Sequence, residues 1–337
     1  MKPKLAEDVI LSVRNLQTRF TSKRQSVTPV DGVTFDLKRG QTLAVVGESG
    51  SGKSVTSLSI MGLLGKNGHI SGGEILYRTS RNDIQRIDQF TPSQYQKIRG
   101  KEIAMIFQEP MTSLNPLFTV GEQIMEMILL HEPMSKAQAR LKAIEMLEKV
   151  EIPEPATRVD DYPHSMSGGM RQRVMIALAL SCNPALLIAD EPTTALDVTI
   201  QAQILDLLKR LQSEMGMSII FITHNLGVVA EIAQDVVVMY AGRVVEHAPV
   251  STLFAHPSHP YTKGLLACTP NNHTSTETER GQLYAIPGSV PALSALPAGC
   301  AFSPRCSFVN NQCLTTRPEL RAIGNNTWSR CIWSEIL

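Results

Sequence analysis

Residues 42–54 read Thr-Leu-Ala-Val-Val-Gly-Glu-Ser-Gly-Ser-Gly-Lys-Ser. The stretch 42–46 is apolar enough for a buried strand, and residues 53–64 have the character of a helix. A strand, a loop of the pattern G-x-x-x-x-G-K-S and a helix, in this order, predict a loop that binds phosphate groups. The stretch therefore predicts a nucleotide-binding α/β fold.

The loop also predicts where each part of a nucleotide binds. Its glycines let the backbone come close, so that successive N–H groups cradle phosphate oxygens at the positive end of the next helix. Lys53 would contact the β- and γ-phosphates, and the Ser54 hydroxyl would bind Mg²⁺. Asp190 ends an apolar strand and would supply the carboxylate that fixes the ion. The candidate nucleotide ligands are Gly47, Glu48, Ser49, Gly50, Ser51, Gly52, Lys53 and Ser54.

Polar residues at other strand ends are candidates for catalysis. Glu191 is a candidate general base for an attacking water. A strand-end carboxylate is often merely solvated, but the position beside Asp190 and before residues 192–197 favours the base. His224 follows an apolar strand and is expected to contact the γ-phosphate, although a lone histidine is usually structural. Gln108, at another strand end, is a candidate for contact with water and metal.

Composition narrows the class of protein. The chain has 337 residues, of which 43% are hydrophobic, and its formal charge is +1, so the charge balance predicts no nucleic-acid partner. The N-terminal residues lack the apolar core of a signal peptide, and no stretch approaches the roughly 20 apolar residues that cross a bilayer. Any association with a membrane is therefore expected to occur through another chain.

The apolar pattern predicts several regions. Residues 9–37 alternate in the manner of a small antiparallel sheet, and the later alternation of strands and helices predicts a largely parallel sheet covered on both faces. We predict a nucleotide-binding core at 1–107 and 183–250, a helical subdomain at 108–182, and a C-terminal module at 251–337. Within the last, residues 271–281 have the composition of a linker.

One helix of the predicted insertion has a defined start. Ser135 and Gln138 have the spacing of a capping box. The apolar residues that follow at helical spacing are expected to form its buried stripe; they are Leu141, Ile144, Leu147 and Val150.

The tripeptide Ser-Gly-Gly occurs twice. Ser167-Gly168-Gly169 stands between the phosphate loop and the acidic pair Asp190-Glu191, and this order carries its meaning. Ser71-Gly72-Gly73 has no such setting and is predicted to be a turn before a strand at 74–77.

In this order the motifs resemble those of the nucleotide-binding subunits of ATP-binding cassette transporters. The resemblance covers about residues 9–250 and implies a P-loop NTPase (RecA-like) core with an antiparallel β subdomain and an inserted helical subdomain. It assigns Walker A to 47–54, the Q-loop to Gln108, the signature to Ser167, Gly168 and Gly169, the end of Walker B to Asp190 and Glu191, the D-loop to 195–197, and the switch histidine to His224. It also implies that Phe20 stacks on adenine, although a single Phe near a strand is usually a core residue.

Other segments are similar to the branch that imports peptides, nickel or glutathione. They are residues 107–116, residues 259–262 and the tail after Gly299. The resemblance implies an ATPase that drives uptake of di- or oligopeptides at the cytoplasmic face of the inner membrane. Its implied partners are two membrane-spanning permease subunits, a second and related ATPase subunit, and an extracytoplasmic solute-binding protein. ATP would lie between Walker A of one subunit and the signature of the other, and residues 108–118 would dock a membrane subunit.

The signature differs from the family pattern at two positions. Met166 replaces a leucine, which conserves volume, and Met170 replaces a glutamine, which removes a polar side chain near the nucleotide. The Ser167 hydroxyl and the glycine N–H groups remain, so we expect function to survive.

Four cysteines lie in the C-terminal module. Cys300, Cys306, Cys313 and Cys331 are separated by five, six and seventeen residues, which matches neither the usual ferredoxin spacing nor a C-x-x-C zinc ribbon. Spacing alone leaves an iron–sulfur cluster, a zinc ion, and unliganded or disulfide-bonded cysteines open, whereas the resemblance implies a [4Fe–4S] cluster. Cys182 is expected to be a buried apolar residue, and Cys268 suggests no role.

Two other classes of protein compete with the importer ATPase. A soluble ATPase of the same family that acts on DNA or ribosomes would need a long coiled-coil insertion or two cassettes, and the sequence has neither. A redox-regulated ATPase whose tail is the sensor remains the second alternative.

Overall fold

The computed structural model describes residues 4–22, 25–108, 114–194, 196–268 and 285–334. The chain divides into two compact units, the first formed by 1–11, 37–41 and 76–222, the second by 12–36, 42–75 and 223–337. The strands are β1 Val9–Thr21, β2 Ser26–Lys38, β3 Thr42–Val46, β4 Gly68–Arg78, β5 Ile84–Arg86, β6 Ile103–Ile106, β7 Leu186–Asp190, β8 Ser218–Thr223, β9 Asp235–Tyr240, β10 Arg243–Pro249, β11 Arg321–Gly324 and β12 Thr327–Ser329. The helices are α1 Lys53–Met61, α2 Pro92–Ile98, α3 Val120–His131, α4 Lys136–Lys149, α5 Pro155–Arg158, α6 Gly168–Leu180, α7 Val198–Met215, α8 Leu226–Ile232, α9 Val250–Ala255, α10 Pro260–Ala267 and α11 Asn311–Thr315.

The first unit contains a parallel sheet. Strands β6, β7 and β8 lie side by side in chain order, with Ile103 opposite Leu186 and Leu186 opposite Ser218. Every residue of β7 and β8 is buried, as expected of parallel strands covered on both faces. Because such strands end at the same edge, the residues that follow them can share a site.

The second unit contains the strand that leads into the phosphate loop. Strand β3 pairs in parallel with β9, whose other neighbour β10 is antiparallel and continues to β12 and β11. Strands β2, β1 and β4 lie side by side in that order and form the predicted antiparallel subdomain. The core of the unit includes three aromatic residues in mutual contact, Tyr240, Tyr261 and Phe302.

Two helices between residues 119 and 180 begin at capping boxes. Capping boxes at Thr119 and Ser135 precede α3 and α4, as predicted for the second. The predicted apolar stripe of α4 is only partly correct, because Leu141 is 68% exposed. The helix instead buries the face formed by Ala139, Ala143, Met146 and Leu147. Two alanines on this face allow close packing, so the stripe has a different direction from the one that the larger apolar residues suggested.

The first Ser-Gly-Gly copy is not a turn. Ser71, Gly72 and Gly73 lie inside the eleven-residue strand β4, in which Gly73 has a φ of 84°. Glycine is the residue that adopts such a φ without steric cost, so one Gly bends the strand without ending it. Cys182 is buried, as predicted. The linker expected at 271–281 lies outside the described residues, and the predicted domain boundaries stay a prediction.

Candidate nucleotide-binding site

Two glycines of the phosphate loop have no space for a Cβ atom. Gly47 has a φ of 151°, and a Cβ atom there would overlap the carbonyl oxygen of Met239 and lie 2.8 Å from Ser51 Oγ. Gly52 has a φ of 100°, and its Cβ would overlap the carbonyl oxygen of Pro29. The loop backbone is therefore fixed by its neighbours in the same unit. Helix α1 begins directly after Gly52, so its N-terminus faces the loop.

Two side chains within the loop fit a phosphate ligand. Lys53 is 5% exposed, and its Nζ donates to the carbonyl oxygens of Gly47, at 2.7 Å, and Glu48, at 3.0 Å. Its ammonium group is thus already held inside the loop. The buried Ser51 Oγ has no hydrogen-bond partner among the described residues. A buried hydroxyl of this kind is costly unless a ligand or water satisfies it, which fits an oxygen-rich group in the loop.

The strand-end carboxylates lie in the first unit. Asp190 is buried as the last residue of β7. Glu191 follows with a φ of 48°, which is uncommon for a residue other than glycine. Its Oε2 accepts hydrogen bonds from Gln108 Nε2, at 3.2 Å, and from Thr194 Oγ1, at 3.0 Å. The structure therefore brings together the predicted base and the predicted Q-loop residue, which are distant in sequence.

One residue that orders this region was not predicted. Gln172 of α6 is completely buried, and its side-chain amide donates to the carbonyl oxygen of Pro192, the residue after Glu191. The helix of the signature is thereby tied to the segment that carries the carboxylate. The sequence signal that could have indicated this contact is a glutamine on an otherwise apolar helix face, because a buried amide needs a hydrogen-bond partner.

The signature begins α6 and is exposed. Ser167 is the N-cap residue, and its side chain accepts a hydrogen bond from the Met170 N–H at 3.3 Å. Ser167 and Gly168 are exposed, and a Cβ atom on Gly168 would meet nothing within 4 Å. Met166 is buried, in keeping with its apolar role. The signature therefore presents the N-terminus of a thirteen-residue helix to its surroundings.

Two other predicted residues, His224 and Phe20, lie in the second unit. His224 is exposed and directly follows β8. The Phe20 ring is half-buried and lies against Gly68, where an added Cβ would come within 2.8 Å of a ring carbon. Neither position tests a nucleotide contact, so both roles stay predictions. Of the predicted D-loop, Ala195 lies outside the described residues, and Asp197 caps α7 through the Ile200 N–H.

The four C-terminal cysteines line one small cavity, together with apolar residues that include Phe302 and Trp333. All four are free thiols. Burial is the largest cause that raises the pKa of the Cys331 thiol to about 11, and the three other thiols contribute to the same shift. Within the described part of the chain, no three His, Cys, Asp or Glu side chains are close enough for one metal ion. The thiols thus share a cavity without forming a compact single-ion site.

Comparison with known proteins assigns the family. A family profile described as "ABC transporter" matches residues 30–194, and one described as "Oligopeptide/dipeptide transporter, C-terminal region" matches residues 245–313. The chain is 52% identical to a putative peptide import ATP-binding protein of Brucella melitensis, over 98% of this chain and 99% of the relative. It is also 52% identical to the oligopeptide transport ATP-binding protein AppD of Bacillus subtilis, over 97% of each chain.

Solved structures agree with these relatives. A dimer of the ATP-binding cassette MJ0796 in a post-hydrolysis state, bound to ADP and phosphate, superimposes with a TM-score of 0.63 at 28% identity, covering 72% of this chain and 99% of that one. The cassette cbiO1 of Clostridium perfringens gives a TM-score of 0.62, covering 74% of this chain and 92% of its own. This chain therefore belongs to the ABC transporter ATPases, in the group that carries the oligopeptide/dipeptide transporter C-terminal region.

Proposed function

We propose that this chain is the ATP-hydrolysing subunit of an importer of di- and oligopeptides. The observation that carries the proposal is a phosphate loop, with Lys53 held inside it, in a chain whose relatives are named as peptide import proteins over nearly their whole length. Nickel and glutathione are the other candidate solutes, suggested by the branch to which the sequence is similar. The solute itself would be selected by other subunits.

The residues support a division of labour in hydrolysis. Loop N–H groups and Lys53 would bind the β- and γ-phosphates, and Glu191 would accept a proton from the water that attacks the γ-phosphorus, while ADP leaves. Gln108 donates to the Glu191 carboxylate and would orient it, and His224 would contact the γ-phosphate. Ser54, Asp190 and Gln108 would hold Mg²⁺, which neutralises phosphate charge when bound.

A second ATPase subunit would complete each site. The signature is exposed and a Cβ atom on Gly168 would meet nothing within 4 Å, so it is suited to contact nucleotide held by a partner subunit. Ser167 and the N–H groups of Gly168 and Gly169 would then bind the γ-phosphate at the positive end of α6. Closure of such a dimer depends on the γ-phosphate and is lost after hydrolysis, which would drive the attached membrane subunits.

A groove in the first unit is the proposed docking surface for a membrane subunit. It is lined by Asn115, Phe118, Glu122, Gln123, Glu126, Met127 and Leu178. Leu117 is 79% exposed and Phe118 is 51% exposed beside it, which is unusual for large apolar residues without a partner. The predicted docking segment also includes residues 109–113, which lie outside the described residues. The chain would thus be a peripheral protein at the cytoplasmic face of the membrane; among the described residues no helix is long and apolar enough to span a bilayer.

Reconstitution tests this function. The chain would be assembled in proteoliposomes with its permease subunits, second ATPase subunit and solute-binding protein, and uptake of labelled di- and oligopeptides, nickel and glutathione would be compared. Peptide uptake that requires ATP supports the proposal, and uptake of nickel or glutathione alone contradicts it. A cross-linker attached at Leu117→Cys should label a permease subunit, whereas one at the exposed Leu314→Cys should not.

We also propose that the cysteine module holds a [4Fe–4S] cluster. Four thiols around one cavity provide the usual number of ligands, and cavity residues such as Phe302 and Trp333 would shield a cluster from water. A tetrahedral zinc site needs sulfurs about 2.3 Å from a single ion, so it requires a more compact group than the described thiols form. Cys300, Cys306, Cys313 and Cys331 would be the ligands.

Iron analysis tests the cluster. Anaerobic preparations should contain about four iron atoms per chain and absorb broadly near ~400 nm, and exposure to air should bleach that absorbance. Cys313→Ala should reduce the iron content, whereas Cys268→Ala, outside the module, should not. Stoichiometric zinc without iron would reject the cluster.

A further inference from the structure

A bidentate ion pair joins the phosphate loop to the C-terminal module. Arg305 Nη1 donates to Glu48 Oε2 at 2.9 Å, and Arg305 Nη2 donates to Glu48 Oε1 at 3.1 Å. Glu48 is the second residue of the loop, and the two residues are 257 positions apart in sequence. The arginine side chain is 5% exposed, so this pair is better shielded from solvent than a surface salt bridge.

Other contacts fix the position of the guanidinium group. Its Nε donates to the carbonyl oxygen of Pro287 at 2.9 Å, and its Nη1 lies 3.5 Å from the hydroxyl of Tyr240. Burial disfavours the charge, but the hydrogen bonds to Glu48 and Tyr240 outweigh it and raise the pKa of Arg305. The arginine is therefore a fixed cation that holds Glu48 at one place.

A second residue holds the backbone of Glu48. The hydroxyl of Tyr261 accepts a hydrogen bond from the Glu48 N–H at 2.9 Å. The tyrosine is completely buried, with ring centroids of Tyr240 and Phe302 at 4.7 and 5.4 Å. Because both partners of Glu48 are packed in the same core, neither can follow a displaced loop without breaking that core.

These contacts act on the part of the loop that positions the lysine. The carbonyl oxygens of Gly47 and Glu48 bind the Lys53 ammonium, so the Glu48 peptide helps to set where that charge lies. A glycine-rich loop has many accessible conformations, and holding one residue by side chain and backbone reduces the entropy lost when phosphate binds. We propose that Arg305 and Tyr261 are positioning residues for the phosphate loop, through which the C-terminal module sets the affinity for MgATP.

The proposal concerns the nucleotide site of this ATPase and does not depend on the solute or on the cluster. Arg305 directly precedes Cys306, so one short segment, Ser303–Cys306, borders both the phosphate loop and the cysteine cavity. A purely structural ion pair would explain the same contacts. It would stabilise the module but leave nucleotide affinity unchanged, and this difference can be measured.

The test compares variants of the full-length chain for MgATP binding, and of the assembled importer for hydrolysis. Arg305→Met and Glu48→Gln should each raise the Kd and the KM for MgATP about tenfold, which corresponds to about 1.4 kcal/mol, with kcat changed less than about twofold. The double variant should bind MgATP as tightly as either single variant does, since both substitutions remove the same ion pair. Tyr261→Phe should raise the Kd about threefold, because it removes one neutral hydrogen bond.

Matched controls separate affinity from general stability. Arg321→Met removes an arginine of the same module whose bonds go to Ile332 and Ser334, and Tyr77→Phe removes a buried hydroxyl that is bonded to Glu102. Both should leave the Kd for MgATP unchanged. The proposal is wrong if Arg305→Met binds MgATP as tightly as Arg321→Met does, even if its melting temperature falls.

Two further variants keep the test decisive. If Arg305→Met does not fold, Arg305→Lys and Tyr261→Phe replace it, and wild-type affinity in both would overturn the proposal. Lys53→Ala should abolish MgATP binding. If it does not, the assignment of the nucleotide site is at fault, rather than the role of Arg305.

Discussion

Two glycine-rich turns of this chain begin helices, and they meet opposite constraints. In the phosphate loop, Gly47 and Gly52 have positive φ values, and an added Cβ would overlap a neighbouring carbonyl oxygen at each. In the signature, Gly168 has open space around it and its φ is not positive. The first turn needs glycine because of its own chain. Nothing in its own chain requires glycine at Gly168.

The phosphate loop is preformed, whereas the signature is not held in the same way. The loop is fixed by its own unit, with Lys53 inside it and Glu48 held from the C-terminal module. The signature is an exposed helix N-terminus that only Ser167 caps. The open space beside Gly168 leaves room for a surface that approaches from outside, which agrees with the proposed contact with a partner subunit.

The largest expected effect separates binding by the loop from hydrolysis. Glu191→Gln should lower turnover of the assembled complex by about 10²- to 10⁴-fold, because the amide cannot accept the proton of the attacking water. The Kd of the isolated chain for MgATP should stay within about twofold, since the loop is unchanged. Steady-state hydrolysis and equilibrium binding measure the two effects. Unchanged turnover would remove Glu191 from the role of base.

Alanine at Gly47 and at Gly168 tests whether the two turns differ in their need for glycine. Gly47→Ala should raise the Kd for MgATP at least about 100-fold and destabilise the chain by about 1–3 kcal/mol, because the Cβ would overlap Met239 and the φ is strained. Gly168→Ala should change the stability of the isolated chain by less than about 0.5 kcal/mol and leave its MgATP binding intact. In the assembled complex, Gly168→Ala should nevertheless lower turnover. Equal destabilisation by the two substitutions would contradict the difference in steric constraint between the two turns.

A buried carboxyl in the unit that holds the phosphate loop should make stability depend on pH. Glu246 is completely buried, and burial raises its pKa to about 7, although the Ser258 and His259 N–H groups donate to it. The folded chain therefore binds the proton more tightly than the unfolded chain does. Its contribution to stability is complete below pH 4.5 and is lost as the pH rises through about 7. This contribution of Glu246 to the free energy of unfolding is about 3 kcal/mol.

Ser258 and His259, whose N–H groups bond to Glu246, directly precede α10, which carries Tyr261. Titration of Glu246 would therefore act close to a residue that holds the phosphate loop. The lowered pKa of the buried His259 makes stability rise with pH over much of the same range, so the effect of Glu246 is measured as a difference between two proteins. In denaturant unfolding, the free energy of unfolding of the wild type minus that of Glu246→Gln should decrease between pH 4.5 and about 7. A profile with the same slope in the variant would assign the pH dependence to other groups.

The smallest expected effect compares the two Ser-Gly-Gly copies. Ser167→Ala should cost about 1 kcal/mol, because it removes the cap of α6. Ser71→Ala should cost less than about 0.5 kcal/mol, since the exposed Ser71 hydroxyl makes only a 3.4 Å contact with the Gln17 carbonyl oxygen. Thermal unfolding of both variants measures the difference. A larger loss at Ser71 would mean that the bend in β4 depends on its side chain.

Local patterns predicted much of this molecule. The loop, the helix after it and the buried strands β7 and β8 follow from short segments whose apolar pattern and glycine spacing are decisive. The capping box at Ser135 was predicted for the same reason. The turn predicted at Ser71-Gly72-Gly73 was wrong, because pairing with neighbouring strands overrides the preference of two glycines for a turn.

Contacts between distant residues could not be predicted in this way. Gln172 with Pro192 and Arg305 with Glu48 have no periodic spacing, and each depends on how elements pack. The cysteines show the same limit, since their spacing is irregular although they line one cavity. Spacing identifies ligands only when they lie on one local element, as in the phosphate loop.

The position of Lys53 has a consequence for selectivity among phosphate compounds. Its ammonium group has two carbonyl acceptors within the loop, Gly47 and Glu48, so a ligand would share this charge with them. A single phosphate that reaches only the loop N–H groups gains little from the lysine. A polyphosphate chain extends far enough to offer it anionic oxygens, which are stronger acceptors than carbonyl groups. The loop would thus discriminate among phosphate compounds by how far their negative charge extends, before any contact with the base.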